Sequence, residues 1–288
     1  MKMNIFCYLR TLRLLTILVI SISNLHAEDI SDEQIHKWEF GLGLGFLSLP
    51  HYRGSDEKAE VFAPIPYLRY SGDRLKVDRE GGRFYLFNSP KVDIDLSLAF
   101  ALAVDSKDNK AREGMPDLDS VIEIGPRLQF NLYESKDKDL RFRFAFPFRA
   151  AFSVDLDKVE HIGWFFAPYA QVRYYFTGWE SAVSVGPTWG SEQFHNNFYE
   201  VKPQYSTATR PAYEAQSGYS GSRVSFNLSK RYEKVFVGLF MKYDDLRGAT
   251  FLDSPLVKKD NSFVFGAVLS WVFYASKTYR TKEYDNEY

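Results

Sequence analysis

Residues 92–104 read VDIDLSLAFALAV, and their strict alternation decides the fold class. All even-numbered positions are large and apolar, whereas the odd-numbered positions hold aspartate, serine or alanine. A period of two over this length predicts a β-strand with one apolar face and one small or polar face. Strands of soluble proteins are usually about 5–6 residues long. This one, tilted by about 40°, rises roughly 33 Å, which is enough to cross an outer membrane.

The same alternation recurs along the chain. It is clearest in residues 140–153, where phenylalanines alternate with arginines and small residues. A soluble β-sandwich also alternates, but so many large aromatic residues on one face would overfill its thin core. We therefore predict an all-β, transmembrane, antiparallel barrel of the outer-membrane type. Its strands are expected at about 38–46, 61–70, 73–79, 82–87, 92–104, 120–133, 140–153, 162–176, 179–189, 221–232, 234–245 and 263–273.

The connections between these strands alternate between long and short. If the N-terminus is periplasmic, the long loops face the outside and the short turns face the periplasm. The odd-numbered connections cover 47–60, 80–81, 105–119, 155–161, 191–220 and 246–261, and the even-numbered ones cover 71–72, 88–90, 134–138, 177–178 and a turn near 233. Only 80–81 breaks the trend. About 12 strands is our first prediction, and 10 is the second, for the case that the two short strands beside 80–81 do not form.

The ends of the chain carry separate signals. Residues 1–27 are expected to be a cleaved secretory signal peptide, because three basic residues precede an apolar run at 14–22. The only cysteine, Cys7, lies in this segment, so the mature chain has no disulfides. Without the three basic residues the net charge is −1 − 3 = −4, which argues against a nucleic-acid partner. We expect residues 28–36 to be a polar lead-in, 37–274 the barrel and 275–288 a charged periplasmic tail.

Charged residues on the inward faces are the first candidate site. By strand direction they lie at similar depth in the periplasmic half: Asp93, Asp95, Arg127, Arg141, Arg143 and Arg173. Such a set is either a constriction that selects solutes or a salt-bridged filling that keeps a narrow barrel closed. Both signs occur together, which favours the filling. On that interpretation, replacing Arg143 with alanine should loosen the barrel.

The periplasmic tail is the second candidate site. The short turns leave little other periplasmic surface for a partner, apart from the lead-in. The tail carries charges of both signs, and the residues we expect to dock a partner are Lys277, Arg280, Lys282, Glu283 and Asp285. Simple disorder is the alternative interpretation of the same composition.

No residue pattern favours catalysis. The four histidines outside the signal are dispersed, and none is paired at metal-ligand spacing: His36, His51, His161 and His195. There is no Gly-x-Ser-x-Gly sequence. We therefore expect a protein that is not an enzyme and has no cofactor. The aromatic-rich loop 191–220 either plugs the barrel, meets a surface ligand or packs over the mouth, and the sequence does not decide between these.

Several segments, taken together and in order, resemble the MipA/OmpV family of MltA-interacting outer-membrane proteins. They are HYRGSD at 51–56, PIPY at 64–67, GMPDLD at 114–119, IEIGP at 122–126 and DSPLV at 253–257. The resemblance implies a scaffold in the outer membrane of a Gram-negative cell. Such a scaffold links a lytic transglycosylase to a bifunctional penicillin-binding protein during peptidoglycan growth.

The resemblance also implies an alternative and a further partner. The alternative function is a porin-like channel or an osmotic-response barrel. The family tends to end on an aromatic residue, which resembles the signal read by the barrel-assembly machinery during insertion into the lipid. Here residues 272–274 occupy that place, although fourteen residues follow them.

Overall fold

The computed structural model describes residues 34–281, apart from 73, 79, 80 and 156. The expected signal peptide and most of the lead-in lie outside the described residues, as do the tail residues Lys282, Glu283 and Asp285. None of the helices within 34–281 is long and apolar enough to cross a membrane.

The described residues form fifteen strands, one α-helix and three short 3₁₀ turns. The strands are β1 (Gln34–His36), β2 (Trp38–Pro50), β3 (Lys58–Ser71), β4 (Leu75–Asp78), β5 (Gly81–Asn88), β6 (Val92–Ala101), β7 (Ser120–Glu134), β8 (Leu140–Val154), β9 (Val159–Phe166), β10 (Tyr169–Phe176), β11 (Trp179–Gly190), β12 (Gly218–Arg231), β13 (Val235–Asp245), β14 (Asn261–Ala275) and β15 (Tyr279–Thr281). The helix α1 is Glu192–Tyr199, and the 3₁₀ turns are Ser106–Asp108, Lys110–Arg112 and Pro203–Tyr205.

Strands β2 to β14 close into one antiparallel barrel. Consecutive strands pair in order, and β14 pairs with β2 to complete the ring. Strands β9 and β10 both pair with β8 and β11, so they are two halves of one barrel strand. The barrel therefore has twelve strands, which confirms our first prediction, and the short strands β4 and β5 both form. The ten-strand alternative is wrong.

The predicted strand 162–176 is interrupted at residues 167–168 in the structure. Pro168 has no N–H with which to continue the ladder, and proline in a sheet is typical of edges and irregularities. Its carbonyl instead approaches the neighbouring strand at Gly186. A Cβ atom on Gly186 would lie 1.9 Å from the Pro168 oxygen, so only glycine permits this contact.

The two faces of the strands are as the alternation predicts. In β6, Asp93 and Asp95 are fully buried, whereas Leu98 and Phe100 are 51% and 61% exposed. The polar face therefore points into the barrel, and the apolar face points outward, where lipid covers it. The interior of the barrel between the strands is called the lumen below.

The lead-in and the tail pair with each other. Strands β1 and β15 form a two-stranded antiparallel ribbon, with His36 opposite Tyr279. The ring of His36 contacts the carbonyl oxygen of Ser276 at 2.6 Å, and the Ser276 hydroxyl accepts from the N–H of Trp38 at 3.1 Å. This ribbon lies at the end of the barrel that carries the short turns, called the short-turn end below.

The largest buried apolar cluster lies in the loops at the opposite end. Four segments supply it: 51–57, 102–119, 191–217 and 246–260, which together are called the loop cap. The loops after β6 and β13 leave the twelve-strand ring six strands apart, so they can meet only by crossing the mouth. They do meet, because the cluster joins both loops, and its buried residues are Tyr52, Val104, Leu118, Tyr199, Val201, Ala215, Leu246, Ala249, Phe251 and Leu256.

Candidate functional site: a charged lumen under a packed cap

The expected lumen charges lie on inward faces, and one ion pair joins two of them. Asp95 on β6 is directly opposite Arg127 on β7. The Arg127 guanidinium donates to both carboxylate oxygens of Asp95, at 3.1 Å from Nε and 2.7 Å from Nη2. Both side chains are buried. A two-pronged contact of this kind is among the strongest polar interactions in proteins.

Asp93, although fully buried, is held by amides and not by an arginine. Its Oδ2 accepts from the side-chain amides of Gln129 at 3.0 Å and Asn131 at 3.1 Å. Its Oδ1 has no hydrogen-bond partner among the described residues. Asp93 therefore does not neutralise an arginine by direct contact.

Arg141 and Arg173 bind two glutamates that the sequence analysis missed. The two arginines face each other across β8 and β10, which is unfavourable for like charges. Each has an acid: Arg141 lies 2.8 Å from Glu134, and Arg173 lies 3.1 Å from Glu180. Glu134 was missed because the predicted strand ended at residue 133, whereas β7 extends to Glu134 and a register shift between Asn131 and Tyr133 reverses the inward-outward order at its end.

Arg143 has no such partner among the residues that the structure describes. It is 5% exposed, yet it makes no hydrogen bond or ion pair with any residue that the structure describes. The charges that act on it include those of Arg141 and Arg83, which repel it. The expectation that Arg143→Ala loosens a paired network therefore has no direct contact to rest on.

A second charged cluster lies under the loop cap, and the sequence analysis did not identify it. Asp244 on β13 is 1% exposed and sits opposite Arg223 on β12. The Arg223 Nε lies 2.7 Å from Asp244 Oδ1, and the Nε of Arg53 lies 3.5 Å from Oδ2. Arg53 belongs to the loop cap and also donates to the carbonyl of Ser220. Asp244 thus ties the cap to the barrel wall.

The loop cap is held by stacked rings and by hydrogen bonds to backbone. The rings of Tyr199 and Phe251 stack with their centroids 3.8 Å apart and their planes 6° from parallel. The Tyr199 hydroxyl donates to the Arg53 carbonyl at 3.0 Å. The Tyr52 hydroxyl donates to the Leu256 carbonyl at 2.8 Å, and burial raises the pKa of Tyr52 to about 12. The aromatic loop 191–220 therefore packs over the mouth.

The helix α1 within this loop was not predicted. Ser191 caps it, because its hydroxyl accepts from the N–H of Phe194 at 3.2 Å. Serine followed by glutamate is a common start of a helix, so residues 191–192 were the feature of the sequence that could have indicated α1. Eight residues are too few to show a helical period, so the alternation of the flanking strands dominated the sequence pattern.

A buried histidine–serine pair lies behind the helix. The Nε2 of His195 is 2.5 Å from the Ser220 hydroxyl, and its Nδ1 is 2.6 Å from the Gln216 carbonyl oxygen. This pair has the residue types of a nucleophile and its base, but both side chains are fully buried. It links helix α1 to the start of β12. His161 packs edge-on against Phe152 instead.

Acid is expected to weaken the loop cap through His195. Burial lowers the pKa of His195 below its usual 6.5, so between the folded and unfolded pKa values the unfolded chain binds more protons. The stabilisation is therefore complete above the unfolded pKa and is lost as the pH falls through this window. Proteolysis of the cap should accelerate as the pH falls below 6.5, and more steeply in the wild type than in His195→Gln. Equal pH slopes in the two proteins would contradict the assignment to His195.

One side of the lumen is apolar and not filled by side chains. Ile65 and Phe240 lie over glycines on the inward face, since a Cβ on Gly45 or Gly266 would come within 2.0 Å of them. They nevertheless remain 41% and 38% exposed. The lumen therefore has open space beside this apolar wall, opposite the charged strands β6 to β10.

The tail residues expected to dock a partner are placed only in part. Lys277 is exposed, between the end of β14 and the ribbon. Arg280 lies in β15, opposite Ile35 of β1. The structure therefore puts the described part of the tail in the ribbon.

Comparison with known proteins identifies one family and several barrels of similar architecture. The family described as "MltA-interacting protein MipA" matches residues 42–273. No curated protein matches the chain. Among solved structures, an outer-membrane channel from Pseudomonas putida F1 is 11% identical, with a TM-score of 0.42, covering 86% of this chain and 100% of that one.

Two other solved barrels are less similar. The CymD monoaromatic hydrocarbon channel is 8% identical, with a TM-score of 0.26, covering 84% of this chain and 68% of that one. Ail, the attachment invasion locus protein of Yersinia pestis, is 8% identical, with a TM-score of 0.25, covering 84% of this chain and 99% of that one. TM-scores below 0.5 say nothing about what this barrel binds or transports.

Proposed function

Since this chain belongs to the family of MltA-interacting proteins, we propose that it is an outer-membrane scaffold whose short-turn end docks a lytic transglycosylase. The proposal includes a bifunctional penicillin-binding protein as the second partner, so that cutting and synthesis of peptidoglycan take place together. The observation that carries the proposal is the packed loop cap, which crosses the mouth and joins loops from opposite sides of the ring. A barrel whose mouth is covered by packed loops is more consistent with a membrane anchor than with an open pore.

The ribbon of β1 and β15 is the surface that we assign to docking. It stands at the short-turn end, where the five turns between barrel strands offer little other surface. As a two-stranded sheet it leaves one edge of each strand unpaired within the described residues. An unpaired edge can accept a strand from a partner through backbone hydrogen bonds. No catalytic role is proposed, because the histidine–serine pair is buried within the cap.

Crosslinked pull-down from intact envelopes tests the docking proposal. We expect the full-length protein to recover murein hydrolases and synthases, and a version truncated after Tyr274 to lose them, because truncation removes β15. The control is Lys258→Glu, which changes an exposed charge in the loop cap and should leave recovery unchanged. Heat-modifiable migration verifies that each variant still forms a barrel. Equal recovery with the truncated protein would overturn the assignment to the ribbon, and no recovery with any version would overturn the scaffold.

A channel is the second candidate function, and the open space beside Ile65 and Phe240 favours it. A passage along this wall would suit small solutes with apolar parts. Single-channel conductance of the purified protein in planar bilayers separates the two functions. Steady conductance with the wild-type cap would support the channel, whereas a silent wild type would support the anchor.

A further inference from the structure

We propose that the lumen binds a small oxyanion, a phosphate or a carboxylate, against an arginine cluster formed by Arg83, Arg141, Arg143 and Arg173. This binding site is independent of the docking function. All four side chains are at least nine-tenths buried. Arg83 comes from β5, on one side of strands β6 and β7. The other three arginines come from β8 and β10, on the other side of β6 and β7.

The backbone geometry brings these arginines together. Arg141 and Arg143 are two residues apart in β8 and therefore share its inward face, about 7 Å apart along the strand. Arg173 lies directly opposite Arg141. Arg83 is close enough that its charge acts on Arg143. Each guanidinium carries donors in a planar fork, the arrangement that best fits carboxylate and phosphate oxygens.

The charges of the cluster do not balance. Arg141 is paired with Glu134, and Arg173 is paired with Glu180. Arg143 has no carboxylate in contact among the described residues, and it is repelled by Arg141 and Arg83. A buried guanidinium without a carboxylate in direct contact is unfavourable. An anion from solution would supply both the missing charge and the missing hydrogen-bond acceptors.

Two further groups define the site. The guanidinium of Arg141 lies over the ring of Tyr175, with its Cζ 5.6 Å from the ring centroid. Asp93 is an acid that competes with the anion, because its carboxylate and the Arg143 guanidinium interact electrostatically. Its Oδ2 is held by Gln129 and Asn131, so a direct contact with Arg143 would require Oδ1. Contact between Asp93 and Arg143 is thus the competing arrangement.

Titration calorimetry on the exported, folded full-length protein in detergent tests the site, with inorganic phosphate and acetate as probes at low ionic strength. The wild type should show saturable binding of one anion, and the stronger probe distinguishes a phosphate from a carboxylate site. Arg143→Gln should weaken binding at least about tenfold, because it removes the guanidinium that has no carboxylate in contact among the described residues. Arg143→Lys keeps the charge without the fork and should bind measurably but more weakly. Heat-modifiable migration verifies the fold of each variant.

Lys242→Gln is the matched control. It also removes one positive charge from the lumen, but on β13 near Arg223 and Asp244, beneath the loop cap. We expect it to leave anion binding unchanged within about twofold. Equal losses in Lys242→Gln and Arg143→Gln would overturn a local site in favour of a general positive field. Absence of saturable binding in the wild type, or undiminished binding in Arg143→Gln, would also overturn the proposal and favour the contact with Asp93.

Discussion

Replacing Asp244 with asparagine is expected to lower the free energy of unfolding by about 3–5 kcal/mol, the usual result of breaking a buried ion pair from one side. Asp244 neutralises Arg223 on the barrel wall and Arg53 in the loop cap. Without its charge, two largely buried guanidinium groups repel each other. Equilibrium unfolding in urea, followed by tryptophan fluorescence, measures the loss.

Asp245→Asn is the control for this change. Asp245 is the next residue in the chain, but its partner Arg247 is 73% exposed in its side chain. Exposed ion pairs are screened by water and contribute little, so this variant should unfold close to the wild type. If both variants unfold alike, Asp244 does not have the central role that we assign to it.

Replacing Phe251 with alanine is expected to open the loop cap. Phe251 is fully buried, stacked on Tyr199 and in contact with the ring of His195. Loss of a buried phenylalanine side chain usually costs about 3–5 kcal/mol, because a cavity remains. That loss should appear as rapid proteolysis of the cap, and as single-channel conductance above that of the wild type.

Phe100→Ala is the matched control, because Phe100 points toward lipid and is 61% exposed in the protein alone. It removes the same side chain without touching the loop cap. Conductance in this variant should equal that of the wild type. An unchanged cap in Phe251→Ala, with proteolysis and conductance both at wild-type values, would show that the stack does not hold the mouth closed.

The sequence predicted the barrel well because the relevant signal is local. Each strand has lipid on one face and the lumen on the other, so the alternation over residues 92–101 already shows which side chains point inward. Beyond Ala101 the strand ends, and Val104 is buried in the loop cap and does not face lipid. The alternation also placed all six predicted lumen charges on inward faces. The alternation of long and short connections indicated an even, closed barrel but did not decide between twelve and ten strands, because the short connection 80–81 departs from it.

The tertiary structure decided the contacts, because these depend on residues far apart in the chain. A register shift in β7 turns Glu134 inward toward Arg141, and no periodic pattern in the sequence predicts this shift. Asp244 meets Arg53 across 191 positions of sequence, and Val104 joins Phe251 in one cluster across the mouth. The alternation of residues therefore determined the fold and its two faces. Strand register and closure of the ring decided which loops meet and which arginines pair with acids, and they leave Arg143 without a carboxylate in contact among the described residues.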